Sequence, residues 1–271
     1  MSEQPSPKRL VISDVDGTLL DPNKQLTEAA RAAVRDLDTA GVGFTFVSAR
    51  PPRALLPLAQ ATHLKLPFAS FNGATVCSPD LEVLSQKLMP KRDVVRAAEI
   101  IADHGLDVWA FVGSEWWVTN LHGPHTDGHR KLLGREPHLM VPMLGICSEA
   151  AKIVGVSDDY DAVARCEQAL RKSSLHISAT RSSNYYVDVT DADANKGHAA
   201  RELMRLAGAT PETTVTLGDM PTDVLMFREA AESIAMGNAS DVVKQAAKAV
   251  TTSNRDEGFA RAVHEFILKA A

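Results

Sequence analysis

The chain has 271 residues, enough for one large domain or for a core with an inserted module, and at 45% hydrophobic and 23% charged it has the composition of a soluble globular protein. Its formal net charge of -5 argues against nucleic acid as a main partner, because phosphate backbones select basic surfaces, although a small anion still suits a locally positive site. No apolar run approaches the roughly 20 residues of a membrane span. The start, "MSEQPSPKRL", has no apolar centre of a signal peptide and is expected to be a short disordered lead-in. Cys77, Cys147 and Cys166 are odd in number and lack metal-ligand spacing, so reduced thiols and a cytoplasmic setting are expected.

Residues 9–13, "RLVIS", suit a buried strand. In "LTEAARAAVRDLDTAG" the residues Leu26, Ala30, Ala33, Val34 and Leu37 share one helical face, and Gly41 stops the helix. A second buried strand, "VGFTFVSAR", ends at Ser48, and Pro51 and Pro52 open a helix that runs to about Thr62. The third strand, "PFASFNG", ends in Asn72 and Gly73. This alternation predicts an α/β fold with a doubly wound parallel, Rossmann-like sheet.

The rhythm changes after about residue 84. A helix from Lys91 to His104 is closed by Gly105, and "DVWAFV" and "EWWVTN" read as paired strands. Residues 120–148, rich in His, Gly and Pro, read as irregular. The strand "AAKIVGVS", a helix from Asp159 to Lys172 and the strands "LHISAT" and "YYVDVT" complete an α+β module. From Asn195 the first rhythm returns: helix 195–207, strand "TVTLGD", a helix from Thr222 to about Ala231 and strand "SIAMG". A helix near 240–248, strand "AVTTS" and a last helix to Leu268 follow. The expected organisation is a core of residues 1–84 and 190–271 interrupted by an inserted cap at 85–189.

Ligands of parallel open sheets sit beyond the carboxyl ends of the strands. Asp14, Asp16, Ser48 and Asp219 each follow a predicted strand there, and Asp223, four residues on, faces the same side if a helix begins near Thr222. Three or four converging acids need a cation, and oxygen ligands select a hard ion, for which Mg2+ is the usual choice. Lys196 opens a helix, where its charge opposes the helix dipole unless it faces a carboxylate or a phosphate. Gly17 and Thr18 are expected to turn backbone N–H groups inward, an anion-binding arrangement. The set suits a phosphoryl group: one carboxylate attacks phosphorus, and the other, two residues on and on the same side of an extended chain, handles protons.

"DVDGTLLD", "VSAR", "NKG" and "GDMPTD", in this order along the chain, resemble the motifs of the haloacid dehalogenase-like hydrolases, whose first motif is Asp-x-Asp-x-Thr. A cap inserted after "FNGA", together with "AMGNA" at 235–239, resembles the Cof-type, sugar-phosphatase-like branch. The resemblance implies that Asp14 is the nucleophile of an aspartyl-phosphate. Asp16 would be the acid and base, its carbonyl helping to hold Mg2+. Ser48 and the backbone of Ala49 would bind phosphoryl oxygens, and Lys196 would neutralise charge. Asp219 would bind the metal, with Asp223 as ligand or water-holder. Ser48 stands where the family more often has Thr, which keeps the hydroxyl. Thr222 stands where it more often has Asn, so phosphate contact there rests on one short-armed hydroxyl. Arg50 and Asn72 are candidates for the rim of the anion site.

The implied activity is a Mg2+-dependent phosphatase acting on a small phosphorylated metabolite such as a sugar phosphate. A phosphomutase on a hexose phosphate is the first alternative and a non-catalytic binding protein the second. In the cap, His122, His125, Asp127 and His129 are expected in an exposed polar loop rather than at a metal. Trp116 and Trp117 point to opposite faces of a strand, so core packing is expected of them. Arg181 and Tyr185 are candidates for contact with the rest of the substrate.

Overall fold

The computed structural model describes residues 9–113, 115–140 and 149–269; the lead-in and Cys147 lie outside the described residues. The chain divides into two compact units, one of residues 1–85 and 195–271 and the other of residues 86–194.

The first unit begins β1 (Arg9–Asp14), α1 (Glu28–Thr39), β2 (Val42–Val47), α2 (Pro52–Ala61), β3 (Phe68–Ser70), β4 (Thr75–Cys77) and β5 (Val83–Gln86). The second unit follows with α3 (Lys91–Asp103), β6 (Asp107–Val112), β7 (Glu115–Val118), α4 (Thr126–Leu133), β8 (His138–Leu139) and β9 (Lys152–Val156). It ends in α5 (Tyr160–Lys172), β10 (Ile177–Ser183) and β11 (Tyr186–Asp191). The chain then returns to the first unit through α6 (Lys196–Ala207), β12 (Thr214–Gly218), α7 (Val224–Phe227) and β13 (Glu232–Ala235). It finishes with α8 (Asp241–Ala246), β14 (Ala249–Val250), α9 (Gly258–Ala262) and a π-helical turn at Val263–Leu268.

The first unit is an eight-stranded sheet in the order β14-β13-β12-β1-β2-β3-β4-β5. It is parallel from β14 to β3, and β4 runs antiparallel to β3. Successive strand residues point to opposite faces, and the core follows that alternation. Val11, Phe44, Phe46 and Leu217 pack with Ala33 and Leu37 of α1 and Phe259 of α9, while Leu10, Ile12 and Val47 pack with Ala199 and Leu203 of α6. Both faces are therefore covered, which is why these strands read as continuous apolar runs. A fully buried side chain such as Phe46 contributes about 1.5–3 kcal/mol through this burial. Local signals agree with the packing: Thr27 caps α1 by accepting from the Ala30 N–H at 3.1 Å.

Three expectations are corrected. The third strand stops at Ser70, because Phe71 and Asn72 adopt left-handed backbone and make a tight 3-10 turn with Gly73. The helix expected from Thr222 to Ala231 is a 3-10 turn at Pro221–Asp223 followed by α7, which ends at Phe227. Residues 120–148 are not irregular throughout, since α4 crosses them.

The second unit is a six-stranded sheet, β10-β11-β9-β6-β7-β8, antiparallel except for the β7–β8 pair. Val94, Ala98 and Ile101 of α3 and Val163 and Cys166 of α5 share one core with Val108, Ile153 and Val187 of the sheet. Trp116 is buried edge-on against Trp109, with ring centroids 5.2 Å apart, and the partly buried Trp117 lies against the helix-bearing core. His129 of α4 lies 4.8 Å from the Trp109 ring and 4.9 Å from that of Trp116. Burial, with Lys152 nearby, pushes its imidazole down to about 3. His125 stacks on Tyr185 and bonds Asp158 at 2.9 Å, Asp127 pairs with Arg130, and Arg181 pairs with Glu167 at 3.0 Å. Among the described residues, His122, His125, Asp127 and His129 form no metal-binding group. No helix among the described residues is long and apolar enough to cross a membrane.

Candidate active site

The strand order reverses at β1, which lies between β12 and β2, so a crevice opens beyond its carboxyl end. The register pairs Asp14 with Val47 and Ser13 with Leu217, so Asp14, Ser48 and Asp219 emerge at the same level. Lys196 joins them because Asn195 caps α6, accepting from the His198 N–H at 3.0 Å, and sets Lys196 at the first helical position.

The Lys196 ammonium donates to Asp14 Oδ1 and to Asp223 Oδ1, each at 2.5 Å. All three are nearly dry: Lys196 is 4% exposed, Asp14 5% and Asp223 0%. Asp223 is held from its other oxygen as well, accepting the N–H groups of Asp219 and Met220 at 2.9 and 2.8 Å. Asp219 Oδ1 accepts from the Thr18 hydroxyl at 3.0 Å. The carboxylates of Asp14, Asp219 and Asp223 each bring an oxygen within 4.8 Å of the others. Gly17, at φ +90°, is required here, since a Cβ would lie 2.4 Å from Asp219 Oδ2.

Other expected residues are placed differently. The Asp16 carboxylate stands outside that group of three and is gripped by Arg50 through two bonds. Arg50 thus faces a carboxylate. Thr18 enters through its hydroxyl, because its N–H turns back to the Val15 carbonyl at 3.4 Å. Ser48 is buried, and its hydroxyl oxygen accepts the Arg50 N–H at 3.1 Å, across Ala49. Asn72 and Thr222 are half-buried, in the turns after β3 and after β12.

Sequence reasoning missed Asn238. Its amide donates to the Gly17 carbonyl at 2.9 Å and to Asp219 Oδ2 at 3.3 Å, and its own carbonyl oxygen accepts the Asn254 N–H at 2.9 Å. The signal was available: Asn238 follows β13 at the same carboxyl edge, inside "AMGNA".

Electrostatics follow from three acids sharing one ammonium in a dry site. Burial raises the Asp14 carboxyl well above its usual range, Asp223 and Asp219 add to this, and Lys196 opposes it. Burial also works against the charge on Lys196, but Asp14 and Asp223 outweigh it and hold the ammonium above its ordinary value. Asp219 is pushed up to about 6 by burial and by Asp223. Among the described residues, Asp14 Oδ2 is buried with no hydrogen-bond partner. Excess negative charge and a donor set made only of carboxylate oxygens together fit a hard divalent cation.

The model of the haloacid dehalogenase-like hydrolase family matches residues 11–263. A 5-amino-6-(5-phospho-D-ribitylamino)uracil phosphatase of Bacillus subtilis is 25% identical, over 96% of this chain and 96% of its own length. The pyridoxal phosphate phosphatase of Escherichia coli is 24% identical, over 96% and 99%. A haloacid dehalogenase-like hydrolase structure from Bacteroides thetaiotaomicron superposes with a TM-score of 0.83, covering 94% of this chain and 98% of that one at 24% identity, a likeness of fold. With a matched span that runs from β1 to the last helical turn and takes in every residue of the carboxylate–lysine cluster, the chain belongs to the haloacid dehalogenase-like hydrolases.

Proposed function

We propose that this hydrolase is a Mg2+-dependent phosphatase of a small phosphorylated metabolite, of the size of a sugar phosphate, and that it works through an aspartyl-phosphate on Asp14. The observation that carries this reading is the asymmetry of Asp14: Oδ1 is held by Lys196, while Oδ2 is buried with no hydrogen-bond partner among the described residues. A carboxylate fixed by one oxygen keeps the other for attack, and attack from a preset position removes much of the entropic barrier. Lys196 neutralises charge as the bond to phosphorus forms, and the Ser48 hydroxyl with the Ala49 N–H would orient phosphoryl oxygens. Asp16 would protonate the leaving oxygen and then deprotonate water. Asp14, Asp219 and Asp223, with the Asp16 carbonyl, would hold Mg2+, which when bound neutralises negative oxygens of the site and of the phosphoryl group. The two curated relatives, each named as a phosphatase of a small phosphorylated compound, support the substrate class. A panel of phosphorylated metabolites assayed for phosphate release with and without Mg2+ tests the reading; turnover that is indifferent to a chelator rejects the metal.

Asn238 holds Asp219 without belonging to the acid cluster, and outer partners of metal ligands typically carry 10–100-fold in affinity. Asn238→Ala is therefore expected to weaken Mg2+ binding by about tenfold while the melting temperature of the metal-free protein stays nearly constant. Calorimetric titration with Mg2+ checks this, and an unchanged affinity rejects the role.

Asp219 also predicts a pH signature. Its carboxyl loses a proton at about 6 in the folded protein against an ordinary 3.8. The neutral form then contributes stability that is fully present below about 3.8 and lost as pH rises through about 6. The melting temperature of metal-free protein should fall across that window. Mg2+ must displace the same proton, so its affinity should rise as pH climbs through about 6. Titrations between pH 4.5 and pH 7.5 that show a flat affinity would contradict this.

A further inference from the structure

Arg50 stands two residues past Ser48, and its guanidinium meets Asp16 edge-on: Nε donates to Oδ2 at 2.7 Å and Nη2 to Oδ1 at 2.5 Å. Two parallel bonds fix the plane of a carboxylate as a single bond does not. The pair is more than a loose surface bridge, because the Arg50 side chain is only 20% exposed and its backbone is pinned on both sides. The Arg50 N–H donates to Ser48 Oγ at 3.1 Å, and the Arg50 carbonyl accepts the Phe71 N–H at 3.2 Å. The Asn72 N–H donates to the Ser48 carbonyl at 2.8 Å. Phe71 and Asn72 hold φ of +50° and +56° to make these bonds. The left-handed region is sterically disfavoured for L-residues, so the turn is held by these bonds rather than by local preference. A strained turn grips the loop that carries Arg50, and Arg50 grips Asp16.

We propose that Arg50 is a positioning residue for proton transfer: its two-bond clamp holds the Asp16 carboxyl in the plane from which it serves the leaving oxygen. The proposal rests on the reading of Asp16 as acid and base. In the first half-reaction an Asp14 oxygen bonds to phosphorus while the bond from phosphorus to the leaving oxygen breaks. The Asp16 proton passes to that oxygen, and Arg50 is the cation that meets the charge left on Asp16. In the second half-reaction water gives its proton to Asp16 and its oxygen bonds to phosphorus. The bond from phosphorus to Asp14 then breaks, and phosphate leaves.

Leaving-group dependence separates this role from phosphate binding, because nitrophenolate departs without a proton and an alkoxide does not. The test measures Arg50→Ala, Arg50→Lys and Asp16→Asn on p-nitrophenyl phosphate and on glycerol phosphate. In single turnovers that time release of the leaving group, before water attacks, Arg50→Ala is expected to slow the alkyl phosphate by about 10–100-fold and the aryl phosphate by less than about threefold, with both KM values changed less than about threefold. Arg50→Lys, which brings one point charge in place of a fork, should fall between and carries the test if the Ala variant does not fold. Added guanidinium ion should restore part of the alkyl rate of Arg50→Ala. Equal losses on both phosphates would mean a structural role, and a raised KM with kcat kept would mean a phosphoryl contact; either overturns the proposal. Leaving-group bias in Asp16→Asn but none in the Arg50 variants sinks Arg50 alone. No bias in Asp16→Asn ends the reading of Asp16 and the proposal with it.

Discussion

Asp14→Asn is expected to lower phosphate release by about 10^4-fold or more, since on the proposed mechanism it removes the covalent nucleophile and with it the whole acting unit. The fold should survive. Asn keeps an oxygen for Lys196, the ammonium keeps Asp223 as a counter-ion, and one of three crowded acids becomes neutral. The melting temperature of metal-free Asp14→Asn should therefore match or exceed that of the parent, because burial and like charge already disfavour ionised Asp14. Steady-state phosphate release and a thermal melt, both on the same preparation, check the two halves. Activity within tenfold of the parent would remove Asp14 from the nucleophile role.

Lys196→Met should damage both stability and turnover, which sets it apart from Asp14→Asn. The ammonium is the shared partner of two buried carboxylates, and removing one member of a buried charged group costs about 3–5 kcal/mol. Met has similar length, so the loss is electrostatic rather than a cavity. In metal-free protein the melting temperature should drop sharply, and Mg2+ should recover part of the drop by supplying positive charge to Asp14 and Asp223. Turnover with Mg2+ present should still fall by about 10^2–10^3-fold, because on the proposed mechanism the ammonium also meets charge that develops during phosphoryl transfer. Denaturant melts with and without Mg2+ read the first effect. A Lys196→Met protein as stable as the parent without metal would show that the acids do not depend on the ammonium.

The fold was legible where one physical rule dominated. The apolar runs of β1, β2 and β12 end in polar residues because both sheet faces are covered and the carboxyl edge is open, so Asp14, Ser48 and Asp219 could be placed from spacing alone. Legibility failed where tertiary contacts override local preference. Phe71 and Asn72 read as strand, yet their N–H groups are drawn to Arg50 and Ser48, which bends the chain into a left-handed turn. The helix α4 was hidden by Gly128 in its middle and by a His125 start at φ +61°; what holds it is His129 seated against Trp109 and Trp116. Asn238 was passed over because an amide carries no charge to attract notice, although it sits on the same edge as the acids.

By itself the sequence determined which chemistry is present: two acids after the first strand, a lysine opening a helix, and two more acids after a later strand. Periodicity and strand-end position are local properties, so they survive in one dimension. Only the tertiary structure decided the pairings. Lys196 meets Asp14 across 182 positions of chain and Asp223 across 27, while Asp16 turns to Arg50, 34 positions away. Which acid receives which cation depends on helix packing and strand register, and burial then sets how strongly each pair is felt.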